Sequence, residues 1–351
     1  MSTLRFKTTV WNIFTTALLI CTVHGTGGRA ADSKEYPSFN GWYNNLANPS
    51  SGATETALTR RLKSHYEDGV YAPSGSGRPN PRTLSVEIAS GPSGLHSYDN
   101  KTTLFVYFGQ HIIKEIVENS RQGCPPEYFW IPVPEGDEIF DPRGDGNIRL
   151  PYHRSPYIAS NTGYTPNHPR DQLNEVTSLL DGDSIYGSTK AWSGELRLRK
   201  QDCPERLFTS NIFASKKNPT DCRGELRSAD DDGKLPMRNT IGLPLQNPVV
   251  PVYHEMRNAK RLFATGSRTG NENPFLLTIG VTWFRHHNWL ARQLRDNNPD
   301  WSDEHVFMES RTRNIATYQK VFFYEWLPIL LGSCPSCEEI PRYTGKRLSV
   351  F

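Results

Sequence analysis

The stretch Asn273-Pro274-Phe275-Leu276-Leu277-Thr278-Ile279-Gly280-Val281-Thr282-Trp283-Phe284-Arg285-His286-His287-Asn288-Trp289-Leu290-Ala291-Arg292-Gln293-Leu294 decides the fold class. Leu276, Leu277, Gly280, Trp283, Phe284, His287, Leu290, Ala291 and Leu294 recur at steps of three and four, the period of one helix face. Asn273 suits an N-cap, and Pro274 suits the first helical position, where no N–H is needed. A helix over 274–294 is expected. Downstream, Ser302 caps a second helix that carries Asp303 and Glu304 in its first turn. Its apolar face is Ile315, Tyr318, Phe322 and Trp326, and Pro328 is expected to close it. Upstream, Thr103–Asn119 places Phe105, Phe108, Ile112 and Ile116 on one stripe. A shorter helix is expected after Arg170, ending near Leu180. Residues 72–82, 132–147 and 214–248 read as loops. Strand alternation is scarce, so the chain reads as mainly α with long ordered loops.

The whole chain is 351 residues, with 36% hydrophobic and 22% charged residues and a formal charge of +3. Its mean hydropathy is −0.61. So even a charge balance speaks against a nucleic-acid binder. Residues 1–25 read as a secretory signal: Arg5 and Lys7 precede an apolar stretch from Val10 to Val23, about 14 residues against the ~20 needed to span a bilayer. A secreted, extracellular location follows. Removing that segment loses Cys21 and leaves an odd set: Cys124, Cys203, Cys222, Cys334 and Cys337. Asn100-Lys101-Thr102 is a usable glycosylation sequon, whereas Asn48 and Asn218 are followed by Pro.

Thr177-Ser178-Leu179-Leu180-Asp181-Gly182-Asp183 is the segment richest in chemistry. In an extended loop the Thr177 oxygens, the Leu179 carbonyl and the carboxylates of Asp181 and Asp183 can converge on a hard cation such as calcium. A solvated acidic turn is the alternative. The loop is not an EF-hand, since Ile185 and Trp192 fall where oxygen ligands would be required. His286 and His287 are adjacent on a helix and so cannot share an ion; His287 falls on the apolar stripe and reads as a hydrogen-bonded core histidine. Cys334-Pro335-Ser336-Cys337 reads as a local disulfide or unpaired thiols, and Arg143-Gly144-Asp145 as a plain turn.

A set of motifs then adds up to a resemblance. Gly41-Trp42-Tyr43-Asn44-Asn45-Leu46-Ala47, Asp68-Gly69-Val70-Tyr71, Phe108-Gly109-Gln110 and Leu150-Pro151-Tyr152-His153-Arg154-Ser155 lead into the Thr177–Gly187 stretch. Leu235-Pro236-Met237-Arg238-Asn239-Thr240, Arg261-Leu262-Phe263, Asn271-Glu272-Asn273-Pro274, Phe284-Arg285-His286-His287-Asn288 and Tyr324-Glu325-Trp326-Leu327-Pro328 follow in order. Across about residues 40–332 the chain resembles the animal haem peroxidases, and within them the N-terminal extracellular peroxidase-homology domain of dual oxidases. The resemblance implies a mainly helical fold that binds haem b and one calcium ion.

Carried over position by position, the family's calcium set falls on Thr177, the Leu179 carbonyl, Asp181, Asp183 (Asp for the usual Ser) and Glu115. On the haem side, the family has Asp-His-Asp where this chain has Ile113-Lys114-Glu115. Ile113 cannot form a haem ester. Lys114 stands at the distal histidine's position, and an ammonium of pKa ~10 does not accept a proton from hydrogen peroxide as a neutral imidazole does. His111 lies one turn earlier. Counting back from Glu272, which matches the second haem-ester position, the distal arginine falls on Thr269, with Arg268 one position off. The family's proximal histidine lies in a helix beyond the Leu-Pro-x-x-Leu-Gly block, here Leu327 to Gly332, and matches no histidine of this chain. The expectation is therefore a signal peptide at 1–25, a partial peroxidase-homology domain at 26–332, incomplete at its C-terminus, and a divergent tail at 333–351.

By family class the function is peroxide-dependent oxidation of a donor. The alternative is a catalytically inactive, calcium-stabilised extracellular module that binds or docks a protein partner. A partial core is further expected to leave Ile315, Tyr318 and Phe322 uncovered and to favour self-association.

Overall fold

The computed structural model describes residues 35–332, apart from 76, 93, 98, 120–124, 199–221, 227–262 and 268. The expected signal segment, the 333–351 tail with its Cys334–Cys337 pair, most of the 214–248 loop and Arg268 lie outside the described residues. In chain order the elements are β1 (Thr56–Ala57), α1 (Pro81–Ala89), α2 (Thr103–Ile116), β2 (Tyr128–Pro132), β3 (Arg149–His153), β4 (Leu173–Asn174), α3 (Asp183–Tyr186), α4 (Lys190–Leu196), α5 (Pro274–Asn297), α6 (Asp303–Lys320), a π-helical segment (Val321–Trp326) and α7 (Leu327–Leu331). Among the described residues there are two small antiparallel sheets, β1 with β4 and β2 with β3. No helix among the described residues is long and apolar enough to cross a membrane.

α5 forms where its pattern places it. The Asn273 side-chain oxygen accepts from the N–H groups of Phe275 (3.1 Å) and Leu276 (2.9 Å), filling two of the donors a helix start leaves open. The helix runs to Asn297, about a turn beyond the expected end. Ser302 caps α6 by accepting from the His305 N–H at 3.2 Å. α2 starts as expected and stops at Ile116.

Three expectations are corrected. Pro328 does not close the second long helix: the chain stays helical to Leu331 and stops at Gly332, whose φ is +77°. A proline ring collides with the carbonyl four residues back, and the wider π turn just before Pro328 relieves that collision. The segment 170–180 is not a helix. Asn174 pairs with Thr56 in β4, and its side chain accepts from the Glu118 N–H (2.9 Å) and donates to the Ile116 carbonyl (3.0 Å). Those bonds hold the segment extended against the end of α2, and the first helical turn comes only at Asp183. The Ile315/Tyr318/Phe322 stripe is not left uncovered. Tyr318 is 1% exposed, edge-on to Trp283 of α5 and to Phe108 and His111 of α2.

α1 and the β2–β3 hairpin had no strong sequence signal. α1 buries no residue. It is tied down by Arg82, whose fork grips Asp137 through bonds of 2.6 and 3.0 Å.

The main core joins α2, α3, α4, α5 and α6 through Tyr186, Trp192, Trp283, Phe284, Phe307 and Tyr318. At α2, the Cβ that Gly109 lacks would lie 2.9 Å from the Trp326 ring. That absence lets the indole stack on Phe105 and donate to its carbonyl at 2.9 Å. A polar chain runs through the same core. The His287 Nε2 donates to the Gly224 carbonyl (2.9 Å), leaving Nδ1 to accept from the Tyr186 hydroxyl (2.9 Å). Asn314 donates to that hydroxyl (2.8 Å) and accepts from His286 (2.7 Å). His287 is thus the hydrogen-bonded core residue its place on the stripe implied.

Burial lowers the His287 pKa to about 3. The imidazole stays neutral in the fold but charges in the unfolded chain below about 6.5, so stability is lost as pH falls from there toward 3. His287→Phe is expected to remove that share of the acid sensitivity. It should cost about 2–4 kcal/mol at pH 7, because Tyr186 and Gly224 each lose a partner. Urea unfolding between pH 7 and 4 checks this; identical pH slopes for both proteins would contradict it.

Candidate functional site

Three elements bring carboxylates to one buried place. α2 supplies Glu115, one turn after His111 on its inner face. The loop before α3 supplies Asp181, and the first residue of α3 is Asp183. Glu115 is 0% exposed, Asp183 3% and Asp181 6%. The loop takes sharp turns to deliver them, with left-handed backbone at Leu180 (φ +50°) and Gly182 (φ +82°). Such strain at a residue with a side chain persists only where surrounding contacts enforce it.

The Thr177 hydroxyl donates to Asp181 Oδ1 at 2.5 Å. The Ser184 N–H lies 3.3 Å from both Glu115 oxygens. Asp181 Oδ2 and both oxygens of Asp183 are buried with no hydrogen-bond partner of good geometry among the described residues. Burial, with the Asp181 charge adding to it, raises Glu115 to about 7. Burial and then the neighbouring Asp181 and Glu115 charges push Asp183 well above the usual carboxylate range. Asp181 is also raised by burial, with Thr177 and Arg311 opposing. Arg311 of α6 supplies the nearby positive charge. It is 2% exposed, stacks over Phe39 at 4.3 Å and donates to the Pro37 carbonyl at 2.7 Å.

The charge and donor type of this set, though not its arrangement, suit a hard divalent cation. Buried anions without partners are costly unless something positive joins them. Three carboxylates beside one guanidinium leave two negative charges, which one such ion would neutralise. An all-oxygen donor set is what calcium takes. Among the described residues no group of three or more His, Cys, Asp or Glu side chains is arranged so that it could hold a metal ion. Glu115 is turned to the Ser184 N–H, and the Leu179 carbonyl accepts from Gln319 at 3.4 Å.

The other side of α2 carries the described haem-side positions Ile113 and Lys114, neither of which has the side chain the family resemblance calls for there. Ile113 is 57% exposed. The Lys114 ammonium reaches Glu272 at 3.3 Å and Glu118 at 3.6 Å. The carboxylate that matches the second haem ester is therefore held by the residue at the distal position. Beside this pair is a cavity of about 20 Å³, lined by His111, Lys114, Ser184, Thr269, Leu276 and Gly280 among others. That holds about one water. His111 is buried and its pKa is lowered to about 4 by desolvation. It is neutral at pH 7, but its Nε2 faces Ser184 (3.4 Å) and Glu115 (4.0 Å).

Two residues of the site carried no sequence signal. Arg311 lies in an ordinary polar helical run. At Gly266 a Cβ would come within 2.3 Å of the Asp183 carbonyl and 2.6 Å of the Gly187 nitrogen. The Gly266 and Ser267 N–H groups instead bond the Ser184 carbonyl at 2.9 and 3.3 Å, lacing the acidic loop in place.

A mainly helical domain with an acidic loop locked against the inner face of α2 defines a haem-peroxidase-type fold. The chain belongs to the animal haem peroxidase family, whose model matches residues 36–348. Its similarity within that family runs to the peroxidase-homology domain of dual oxidases. It is 39% identical to dual oxidase 1 of Sus scrofa over 322 residues, which cover 92% of this chain and 19% of that protein. It is 37% identical to the dual oxidase of Drosophila melanogaster over 316 residues, or 90% and 19% of the two chains. The chain thus spans about a fifth of the length of these relatives. Among solved structures it is similar to peroxidase A from Dictyostelium discoideum, with a TM-score of 0.65 and 28% identity over 84% of this chain and 53% of that one. The fatty acid alpha-dioxygenase of Arabidopsis thaliana shares the fold at 14% identity and a TM-score of 0.57, over 84% and 37% of the two chains.

Gly266→Ala is expected to lower stability by about 3 kcal/mol, because a new Cβ must push backbone rather than a flexible side chain. Urea unfolding at neutral pH checks this. A change below about 0.5 kcal/mol, the size of an ordinary surface substitution, would contradict the close approach.

Proposed function

We propose that this chain is a calcium-stabilised peroxidase-homology module that acts outside the cell by binding, without peroxidase turnover of its own. The observation that carries the reading is the Lys114–Glu272 ion pair at 3.3 Å. It supports the reading because Lys114 stands at the position where the family resemblance calls for a proton acceptor, and the cavity beside it has room for about one water. The calcium half rests on the three orphaned oxygens of Asp181 and Asp183. Glu115, Asp181, Asp183 and the Thr177 oxygens would hold the ion, with the Leu179 carbonyl as a further donor. Its role is to neutralise buried charge and pin the loop to α2. The secreted location is supported by the 1–25 segment. The Asn100 sequon is exposed, on the turn just before α2.

The reading by family class, oxidation of a donor by hydrogen peroxide at haem b, makes the opposite prediction in the same experiment. Haemin is added to the purified chain, and absorption and peroxide-dependent donor oxidation are followed. No stoichiometric Soret band and no turnover are expected. A Soret band with turnover would overturn the non-catalytic reading.

Calcium is expected to raise the melting temperature, and EDTA to lower it. At a hundredfold excess over Kd the ion contributes about 2.7 kcal/mol. Asp183→Asn should abolish the calcium shift while giving a metal-free protein at least as stable as the parent, since a strained buried charge is removed. A melting temperature indifferent to calcium would remove the ion from this account.

A further inference from the structure

On the face formed by the β2–β3 hairpin and the loop before α1 there is a second cavity, open and about 550 Å³ in volume. That is the size of a small-molecule site, and neither the acidic loop nor the Lys114 cleft contributes to it. Its walls carry the guanidinium groups of Arg60, Arg78 and Arg154 and the imidazole of His65, and among the described lining residues none is acidic.

The cations are set among aromatic rings. The Arg60 and Arg154 guanidinium carbons lie 5.7 and 5.9 Å from the centre of the Tyr66 ring. Arg154 also lies 5.5 Å from that of Phe129, which stacks on Tyr152 at 6.5 Å. Tyr152 is 52% exposed, so part of an aromatic surface is open to a ligand. The positions are built. Arg60 donates to Asp171 (3.0 Å), the Arg170 carbonyl (2.6 Å) and Gln172 (2.7 Å), and Gln172 donates to the Tyr66 hydroxyl (3.0 Å). Arg154 is held by Glu127 at 3.3 Å. Arg78 and His65 are exposed, and among the described residues neither side chain has a hydrogen-bond or ion-pair partner.

The lining also selects against other ligand classes. Pro73 is its one aliphatic side chain among the described residues, so a fatty chain or an apolar peptide finds no floor. The rest of the wall is hydroxyl and amide: Ser64, Ser74, Ser155, Asn119 and Gln172. Aromatic faces take the apolar face of a sugar ring, hydroxyls and amides take its hydroxyl groups, and arginine forks take a carboxylate or sulfate.

We infer that this groove binds an anionic saccharide, a carboxylated or sulfated sugar unit stacked near Tyr152 with its charge on Arg78 and Arg154. The inference rests neither on the calcium site nor on the absence of peroxidase activity.

The test titrates the full chain calorimetrically with a sulfated, uronate-containing disaccharide, with lactose and with inorganic sulfate. The acidic disaccharide is expected to bind with a Kd at or below about 1 mM, more weakly as salt rises. Lactose and sulfate alone should each bind at least about tenfold more weakly. Arg78→Ala combined with His65→Ala should weaken the acidic sugar about tenfold with an unchanged melting temperature, since neither side chain supports the fold. No binding of the acidic sugar, equal binding of lactose, equal binding of inorganic sulfate, or undiminished affinity in the double variant would each overturn the assignment.

Discussion

Glu115, Asp181 and Asp183 are buried close to one another and to Arg311, and the backbone around them is held to keep that concentration of charge in place. The three acids come from α2, from the loop after β4 and from the start of α3, while the arginine comes from α6. Without a cation the acids repel one another, and burial raises all three pKa values. The surrounding backbone is correspondingly tight. Gly266 comes too close to the Asp183 carbonyl to carry a side chain, and Leu180 is held left-handed. Packing that close makes sense when the loop must hold like charges together rather than let them drift into water.

Adjacent residues of α2 face this site and the Lys114 cleft. Glu115 faces inward to the acidic loop, while Lys114, one residue earlier and about 100° around the helix, faces Glu272 at the start of α5. The ammonium bridges α2 to the residue just ahead of the α5 cap and to Glu118. An ion pair therefore ties the start of α5 to α2. The basic groove at Arg60, Arg78 and Arg154 lies apart from both, on a hairpin and loops. Any ligand it takes is independent of the charge balance in the core.

The long helices were legible because each combined an apolar period with a cap. Asn273 and Ser302 fill helix-start donors as their positions implied. The errors came where tertiary bonds outvote local preference. Residues 170–180 have a plausible helical pattern, yet Asn174 binds the end of α2 and pairs with β1, which holds the stretch extended. Pro328 reads as a stop, but a π turn upstream lets the helix pass. α1 was missed because it buries nothing and so shows no apolar stripe. Within the site, Thr177, Asp181 and Asp183 stand out by spacing, and Glu115 could be attached to them only through the family resemblance. Arg311 and Gly266 had no signal at all, because what matters about each is a neighbour more than 75 residues away in the chain.

By itself the sequence determined the helical class, the caps, the family and the identity of residue 114, since these depend on neighbours within a few positions or on residue type alone. The tertiary structure decided where charge meets charge. It showed that Lys114 is held by Glu272, that the acidic loop closes on Glu115 and Arg311, and that distant arginines converge around Tyr66. Electrostatic energies depend on separation and burial, and neither quantity is written in the order of residues along a chain.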